Sequence, residues 1–192
     1  IGNPIEHSLS PLLHNFWIKK HNINALYEKQ LLEKNDVEKI LSDVRASKFH
    51  GLNVTVPFKN TVIPFLDQLS DTAQKTQSVN TIFKIKNKLV GDNTDVYGFS
   101  EAIKLTSFNP VNKKILILGA GGVVPSVLLA LKNMGVNQIT LSNRTKEKAV
   151  NLKKSFPFLK VINWGETIKS DLIINATSIG IKQNEEIKLD YT

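Results

Sequence analysis

Apolar positions recur along this chain with two periods, and the changes of period predict its elements. In "SLSPLLHNFWIKKHN" the apolar residues 12, 13, 16 and 17 follow Ser10 and Pro11. A serine N-cap with proline at the first helical position predicts a helix there. "ALYEKQLL" (25–32) reads as a strand. "NDVEKILSDVRAS" (35–47) reads as a helix, with Asn35 and Glu38 at capping-box spacing. Residues 51–56 predict a strand in which Val54, Thr55 and Val56 alternate, and Pro57 ends it. "TVIPFLDQLSDTAQKTQ" predicts short helical pieces interrupted by Pro64, "TIFKIKNKLVGDN" a hairpin turning at Asn87-Lys88, and "VYGFSEAIKL" a further helix.

The cluster "TSFNPVNKK" (106–114) is a linker candidate, and beyond it the pattern changes. "KILILGAGG" joins a short all-apolar run, as found in strands buried on both faces, to a glycine turn. A helix "PSVLLALKNM" follows, stopped by Gly135, then the strand "QITLS", the helix "KEKAVNLKKSF" and the strands "KVIN" and "DLIINA". Four strands alternating with helices predict a doubly wound sheet. The expected organisation is an α/β domain over 1–106 and a Rossmann-type domain over 107–192. No internal repeat or low-complexity tract is present.

Composition narrows the function classes. The 192 residues are 41% hydrophobic and 22% charged, as in an ordinary globular protein. The longest apolar run, around Val123 to Leu131, contains Pro125 and Ser126, and no stretch reaches the roughly 18 to 20 apolar residues of a membrane helix. There is no cysteine, which removes disulfides, thiolate metal sites and cysteine nucleophiles and is compatible with a reducing cytoplasm, the expected location. Of the net charge of +8, most lies in the second half: residues 110–192 carry 12 Lys or Arg against 6 Asp or Glu, and residues 1–109 carry 13 against 11. No arginine-rich run or aromatic-interleaved basic stripe accompanies it, so nucleic acid is not the expected partner. Ile1 leads directly into the turn Gly2-Asn3-Pro4, and the chain stops at "IKLDYT" without a closing element. The chain is therefore read as a fragment trimmed at both ends, lacking the first strand of one domain and the last part of the other.

Gly119-Ala120-Gly121-Gly122, with Val123 after it, follows a strand and opens a helix. Side-chain-free backbone there lets a pyrophosphate approach the N–H groups and the positive end of the helix dipole. The third position of the fingerprint is Val124 rather than Gly or Ala. About 20 residues on, where an acidic residue would accept from a ribose 2′-hydroxyl, stands Ser142-Asn143-Arg144-Thr145, with Lys146 and Lys148 close behind. An arginine at that point can stack on adenine and grip a 2′-phosphate, which favours NADP over NAD. In the first half, Asp95 ends "GDNTD" before a helix and, alone, fits an N-cap. Asp92, Asn93 and Asp95 lack the glycine and distal glutamate of a calcium loop. Histidines 7, 14, 21 and 50 offer no i, i+4 zinc pair, so no metal site is expected. Ser8 and Ser10 read either as caps or as ligands for a polyol or carboxylate. Lys59, where the chain has just left a strand, reads alone as a solvated strand-end lysine.

Taken together, "NPIEHSLSP", "NVTVPFK", "VNT", "GDNTD", "GAGG", "NRT" and "INATS" resemble, in order and approximate spacing, the shikimate dehydrogenases, over nearly the whole chain. The resemblance implies an N-terminal substrate-binding α/β domain and an NADP-binding Rossmann-type domain with the active site in the cleft between them. It also implies the NADPH-dependent reduction of 3-dehydroshikimate to shikimate, a step towards chorismate and the aromatic amino acids. Lys59 matches the family's catalytic lysine and Asp95 its partner. Ser8 and Ser10 are implied to bind the substrate carboxylate, and Asn53, Thr55, Asn80 and Asp95 its ring hydroxyls. Asp71 matches an acidic position near the nicotinamide. Gly119 to Val123 are implied to hold the pyrophosphate, Asn143 to Lys148 the adenosine phosphate, and Asn175, Ala176, Thr177 and Ser178 to meet the cofactor at the sheet edge. The family's later tyrosine, glutamine ligand and closing helices have no counterpart before Thr192. The chemistry suits a lysine: hydride delivered to a ketone creates alkoxide character, which an ammonium within hydrogen-bond reach can stabilise and protonate. The alternatives are a quinate/shikimate dehydrogenase accepting NAD and a non-catalytic nucleotide-binding relative; a homodimer is left open.

Overall fold

The computed structural model describes residues 1–166, 168–180 and 185–187; most of the ending "IKLDYT" lies outside them. The chain forms two compact units, Ile1–Asn93 and a second from Thr94 onward. The sequence places the division at 106/107. The contacts place it at Asn93/Thr94, because Val96 and Phe99 of a helix Asp95–Lys104 (α4) join the apolar core of the second unit.

The first unit holds helices α1 (Ser10–Lys20), α2 (Val37–Arg45) and α3 (Asp71–Thr76), and strands β1 (Gly51–Asn53), β2 (Gln68–Leu69), β3 (Thr81–Ile85) and β4 (Lys88–Asp92). The sheet order is β1-β3-β4-β2, with β2 parallel to β4 and the other pairs antiparallel. Val37, Ile40, Leu41 and Val44 form one stripe of α2 at helical spacing and bury against Val54, Phe58, Val62, Ile82 and Leu89.

Several local expectations are corrected. Residues 25–32 form no strand; Gly2 and Leu31 make one isolated parallel bridge, so the apolar alternation there has no continuous ladder to join. β1 stops at Asn53 because the next N–H groups turn to other partners: Val54 N donates to Asn80 O at 2.8 Å and Thr55 N to Ile1 O at 3.0 Å. Val56, expected inside the strand, is 57% exposed. Gln68–Leu69, expected to be helical, is a strand beside β4. The hairpin turns at Lys86-Asn87, one residue early, since Ile85 pairs with Lys88 and Lys86 takes up φ 55°. Neither Ser10 nor Asn35 caps a helix: Ser10 is already the first residue of α1, and α2 begins after a 3-10 turn, Lys34–Asp36, with Asp36 at its N-cap.

The end of β4 is a polar knot. Asp92 accepts from the hydroxyls of Ser70 and Thr72 and from Asn93 N, while Ser70 Oγ caps α3 by accepting from Ala73 N at 3.1 Å. Asn93, 3% exposed, donates to Ser78 O at 2.8 Å and to Thr76 Oγ1 at 3.2 Å. Two residues of "GDNTD" are thus committed to holding α3 and the 76–80 loop in place.

The second unit holds α4, then β5 (Lys114–Leu118), α5 (Val124–Asn133), β6 (Gln138–Ser142), α6 (Lys146–Ser155), β7 (Lys160–Ile162) and β8 (Leu172–Asn175). All four strands are parallel in the order β7-β6-β5-β8, the doubly wound arrangement in which β5 is central. Between β7 and β8 the described residues form no helix, so the alternation stops one crossover short. Every residue of α5 from Val124 to Leu131 is buried. At the end of β5, Gly119 takes up φ 106°, and a Cβ built on it would stand 2.7 Å from Ala176 O. That position needs glycine on both counts.

Two outcomes follow. Gly119→Ala is expected to destabilise the second unit by roughly 2 kcal/mol or more, since a left-handed conformation and a backbone clash coincide; a denaturant midpoint equal to wild type would contradict it. Burial pushes the Asp92 carboxyl up, but its bonds from Ser70, Asn93 N–H and Thr72 outweigh this and hold it below the ordinary aspartate range. A depressed folded pKa contributes stability that is present above the unfolded pKa and is lost as pH falls through the folded one. Asp92→Asn is therefore expected to cost about 1 kcal/mol at neutral pH, modest because the site is only partly shielded from water. Urea titrations of the two proteins are expected to converge in acid; a gap independent of pH would refute the assignment.

Candidate functional site

In the first unit the candidate residues collect where β1 ends and two loops meet. Val79 N donates to Lys59 O at 2.8 Å, Asn80 N to Asp92 O at 3.0 Å, and Asn60 Nδ2 to Gln77 O at 2.6 Å. Lys59, half-buried, follows Phe58, which is 2% exposed and anchors the turn in the core, while Val62 N closes the turn on Phe58 O at 3.1 Å. The cation after "NVTVPF" therefore stands on a loop fixed by backbone bonds and a buried aromatic ring. This answers the bland reading of Lys59 in part: its main chain is not that of a loose surface loop.

Asn53 Nδ2 donates to Thr81 Oγ1 at 3.2 Å and, more weakly, to Asn80 O at 3.4 Å. Thr81 Oγ1 donates in turn to Asn80 Oδ1 at 3.0 Å. Thr55 packs so tightly on Gly2 that a Cβ there would meet its Cγ2 at 2.4 Å. Ser10 N donates to Ser8 Oγ at 3.3 Å, so the two serines stand together at the start of α1. The structure thus brings Asn53, Asn80 and Lys59 into one backbone-linked group and places Ser8 beside Ser10.

Asp95 is the first residue of α4, with Thr94 at the N-cap, so its carboxylate occupies the turn that the helix dipole favours. Asp71 opens α3 with an exposed side chain that bonds Lys75 Nζ at 2.7 Å. Among the described residues, no three His, Asp or Glu side chains gather as a metal site would require.

In the second unit, the C-terminal ends of the parallel strands surround a cavity of about 300 Å³. Gly119, Ala120 and Gly121 form one wall, and Ala176, Thr177 and Ser178 another. Asn143, Arg144, Thr145 and Lys148 close a third side. Among the described residues no carboxylate lines it, and Arg144 and Lys148 give it a positive field. A Cβ on Gly121 would meet only Ala176 O, at 3.8 Å, leaving room in front of the turn for a phosphate oxygen. The residues present fit NADP: bare backbone for the pyrophosphate, and an arginine and a lysine for a further phosphate.

Of the cofactor residues expected in the second unit, four stand off this cavity's lining. Lys146 Nζ is bonded to Asn163 Oδ1 at 2.7 Å, and Asn175 Oδ1 accepts from Thr177 N and Oγ1 at 3.0 and 2.7 Å, a turn that shapes the wall rather than contributing to it. Gly122 and Val123 lie beyond it, at the start of α5. Two lining residues escaped the sequence reading, Trp164 and Ile179. Both follow parallel strands, where the rule that ligands sit at carboxyl ends would have found them. Among the described residues no helix is long and apolar enough to cross a membrane.

Comparison with known proteins agrees with this arrangement. Residues 1–82 match the model of the shikimate dehydrogenase substrate binding domain, and residues 102–182 that of shikimate / quinate 5-dehydrogenase. The NADP(+) shikimate dehydrogenase of Pelagibacter ubique is 58% identical over 191 residues, covering 100% of this chain and 72% of that protein. The crystal structure of shikimate dehydrogenase from Aquifex aeolicus superposes with a TM-score of 0.90 at 40% identity, covering 96% of this chain and 70% of that one. The Thermus thermophilus enzyme in complex with NADP(H) and shikimate gives 0.85 at 33% identity, covering 94% and 67%. The chain belongs to the shikimate dehydrogenase family.

Proposed function

We propose that this protein catalyses the reversible NADPH-dependent reduction of 3-dehydroshikimate to shikimate, in the cytoplasm, as a step of aromatic amino-acid biosynthesis. The observation that carries the reading is the cavity bearing Arg144 and Lys148 over the Gly119–Gly121 turn, in a chain 58% identical to an NADP(+) shikimate dehydrogenase. The bound dinucleotide supplies hydride to the substrate ketone carbon. The Lys59 ammonium donates the proton that the carbonyl oxygen takes up and stabilises the negative charge developing there; water then reprotonates the amine. Asp95 matches the family's carboxylate partner of this lysine in the reaction. Ser8 and Ser10 hold the substrate carboxylate, and Asn53, Thr55 and Asn80 sort its ring hydroxyls by donor and acceptor. Arg144 and Lys148 grip the 2′-phosphate, and Asp71 lies towards the nicotinamide end.

Following NADP reduction by shikimate in wild type and Lys59→Ala tests the catalytic assignment. A fall in kcat of about 10²–10⁴-fold, the worth of a positioned acid–base group, is expected with shikimate affinity little changed. Unchanged turnover would remove Lys59 from the mechanism, and faster turnover of quinate than of shikimate by wild type would reassign the substrate. Arg144→Ala is expected to raise the KM for NADP about tenfold or more, the loss of a charge-assisted phosphate contact, while leaving that for NAD nearly unaltered. Equal effects on both dinucleotides would show that the arginine does not read the phosphate.

A further inference from the structure

Tyr27 lies between α1 and α2 in a segment whose sequence pattern suggests only a strand, yet it is held from three directions. Its backbone is clamped by one side chain: Asn15 Nδ2 donates to Tyr27 O at 2.8 Å and Tyr27 N donates to Asn15 Oδ1 at 2.9 Å. Its ring stacks on His14, centroids 4.3 Å apart and planes within 9°. Its hydroxyl reaches Asn53 Oδ1 at 2.8 Å.

We propose that Tyr27 is a positioning residue whose hydroxyl fixes the amide of Asn53, and through Thr81 that of Asn80, so that the substrate site meets a ring hydroxyl with a set pattern of acceptors and donors. The inference rests on, and deepens, the reading of these asparagines as substrate ligands. The proton inventory carries it. Asn53 Nδ2 donates to Thr81 Oγ1 and Asn80 O, so the oxygen of that amide must face Tyr27, and the phenol must be the donor. Thr81, having accepted from Asn53, gives its own proton to Asn80 Oδ1. Three side chains therefore donate in one direction, from Tyr27 through Asn53 and Thr81 to Asn80, and each bond polarises the next. Tyr27 makes the shortest of the three side-chain bonds to the Asn53 amide. Both donors of that amide are taken, so Asn53 meets a ligand with the remaining acceptor capacity of Oδ1, and it selects for a hydroxyl that donates. Burial raises the phenol above its ordinary range, against the smaller opposing influence of Ser10, so it stays a donor throughout neutral pH.

Tyr27→Phe in the intact protein isolates the hydroxyl, because the ring, its stacking and both backbone bonds to Asn15 are kept. The expected result is a KM for shikimate raised about tenfold, one lost buried hydrogen bond, with kcat, the KM for NADP and Tm close to wild type. Asn53→Ala is expected to raise KM by itself and to add little on top of Tyr27→Phe, since the two act as one unit. An unchanged KM, equal changes in both KM values, or strict additivity of the pair would overturn the proposal. The side-chain amide signals of Asn53 in a ¹⁵N spectrum are a readout independent of turnover: the proposal requires them to shift in Tyr27→Phe, and an unmoved pair refutes it. Absence of shikimate oxidation by wild type would refute the functional reading instead, and the amide signals would still decide the role of Tyr27.

Discussion

The first unit depends on the backbone of one short segment, residues 78–80. Its N–H groups reach Lys59 O and Asp92 O, and its Asn80 carbonyl receives Val54 N. Three stretches far apart in sequence are thereby locked to one another by groups that no side-chain substitution removes. Buried polar main chain must find partners, and here the partners are the loops that carry the candidate chemistry. The same region buries Ser78, Asn93 and Thr76, and among the described residues no buried side-chain nitrogen or oxygen lacks a partner. A fully satisfied polar cluster specifies one arrangement, because any other leaves a desolvated group unpaired. The candidate ligands inherit that rigidity: Asn53 and Asn80 are oriented by bonds to this segment, and Lys59 hangs from a carbonyl that anchors it.

The second unit relies on a different constraint, the close approach of β5 to the chain leaving β8. Gly119 passes within contact of the Ala176 carbonyl, and Ala176 N donates to Leu118 O at 2.8 Å. The floor and one wall of the cavity are therefore a single hydrogen-bonded crossing rather than two independent loops. Behind it, α5 is buried from Val124 to Leu131 and shares an apolar cluster with Ile115 and Ile117 of β5 and Val96 and Phe99 of α4. Its N-terminal end, which would face the pyrophosphate, opens a helix whose first eight residues are buried.

How much of this could be read from sequence depended on how local the cause was. The four parallel strands are legible because strands buried on both faces write themselves as apolar runs, as Ile115 to Leu118 do. The glycine turn and Arg144 are legible because the chemistry demands those residue types in that place. The strand over 25–32 was expected from alternation alone, but a strand is defined by its partner, and only Gly2 pairs with it. The dividing line between units escaped notice for the same reason: the polar cluster at 106–114 marks a linker, whereas membership of α4 is decided by where Val96 and Phe99 pack. Tyr27 is invisible as a candidate site residue because it belongs to no recognisable spacing, and its place emerges only when loops distant in sequence are brought together; Trp164 needs only the rule that ligands sit at the carboxyl ends of parallel strands.

The two faces of the candidate dinucleotide cavity differ in what they owe to the core. Gly119 and the helix behind it are buried and intolerant, whereas Arg144, Thr145 and Lys148 project from the surface with no packing role. On the proposed reading, recognition of the extra phosphate is thus written on residues that the fold does not need. Drift in coenzyme preference is open to single exposed substitutions at almost no thermodynamic penalty, while the ability to hold any dinucleotide at all is tied to the integrity of the sheet. In a lineage, the first trait is free to wander and the second is not.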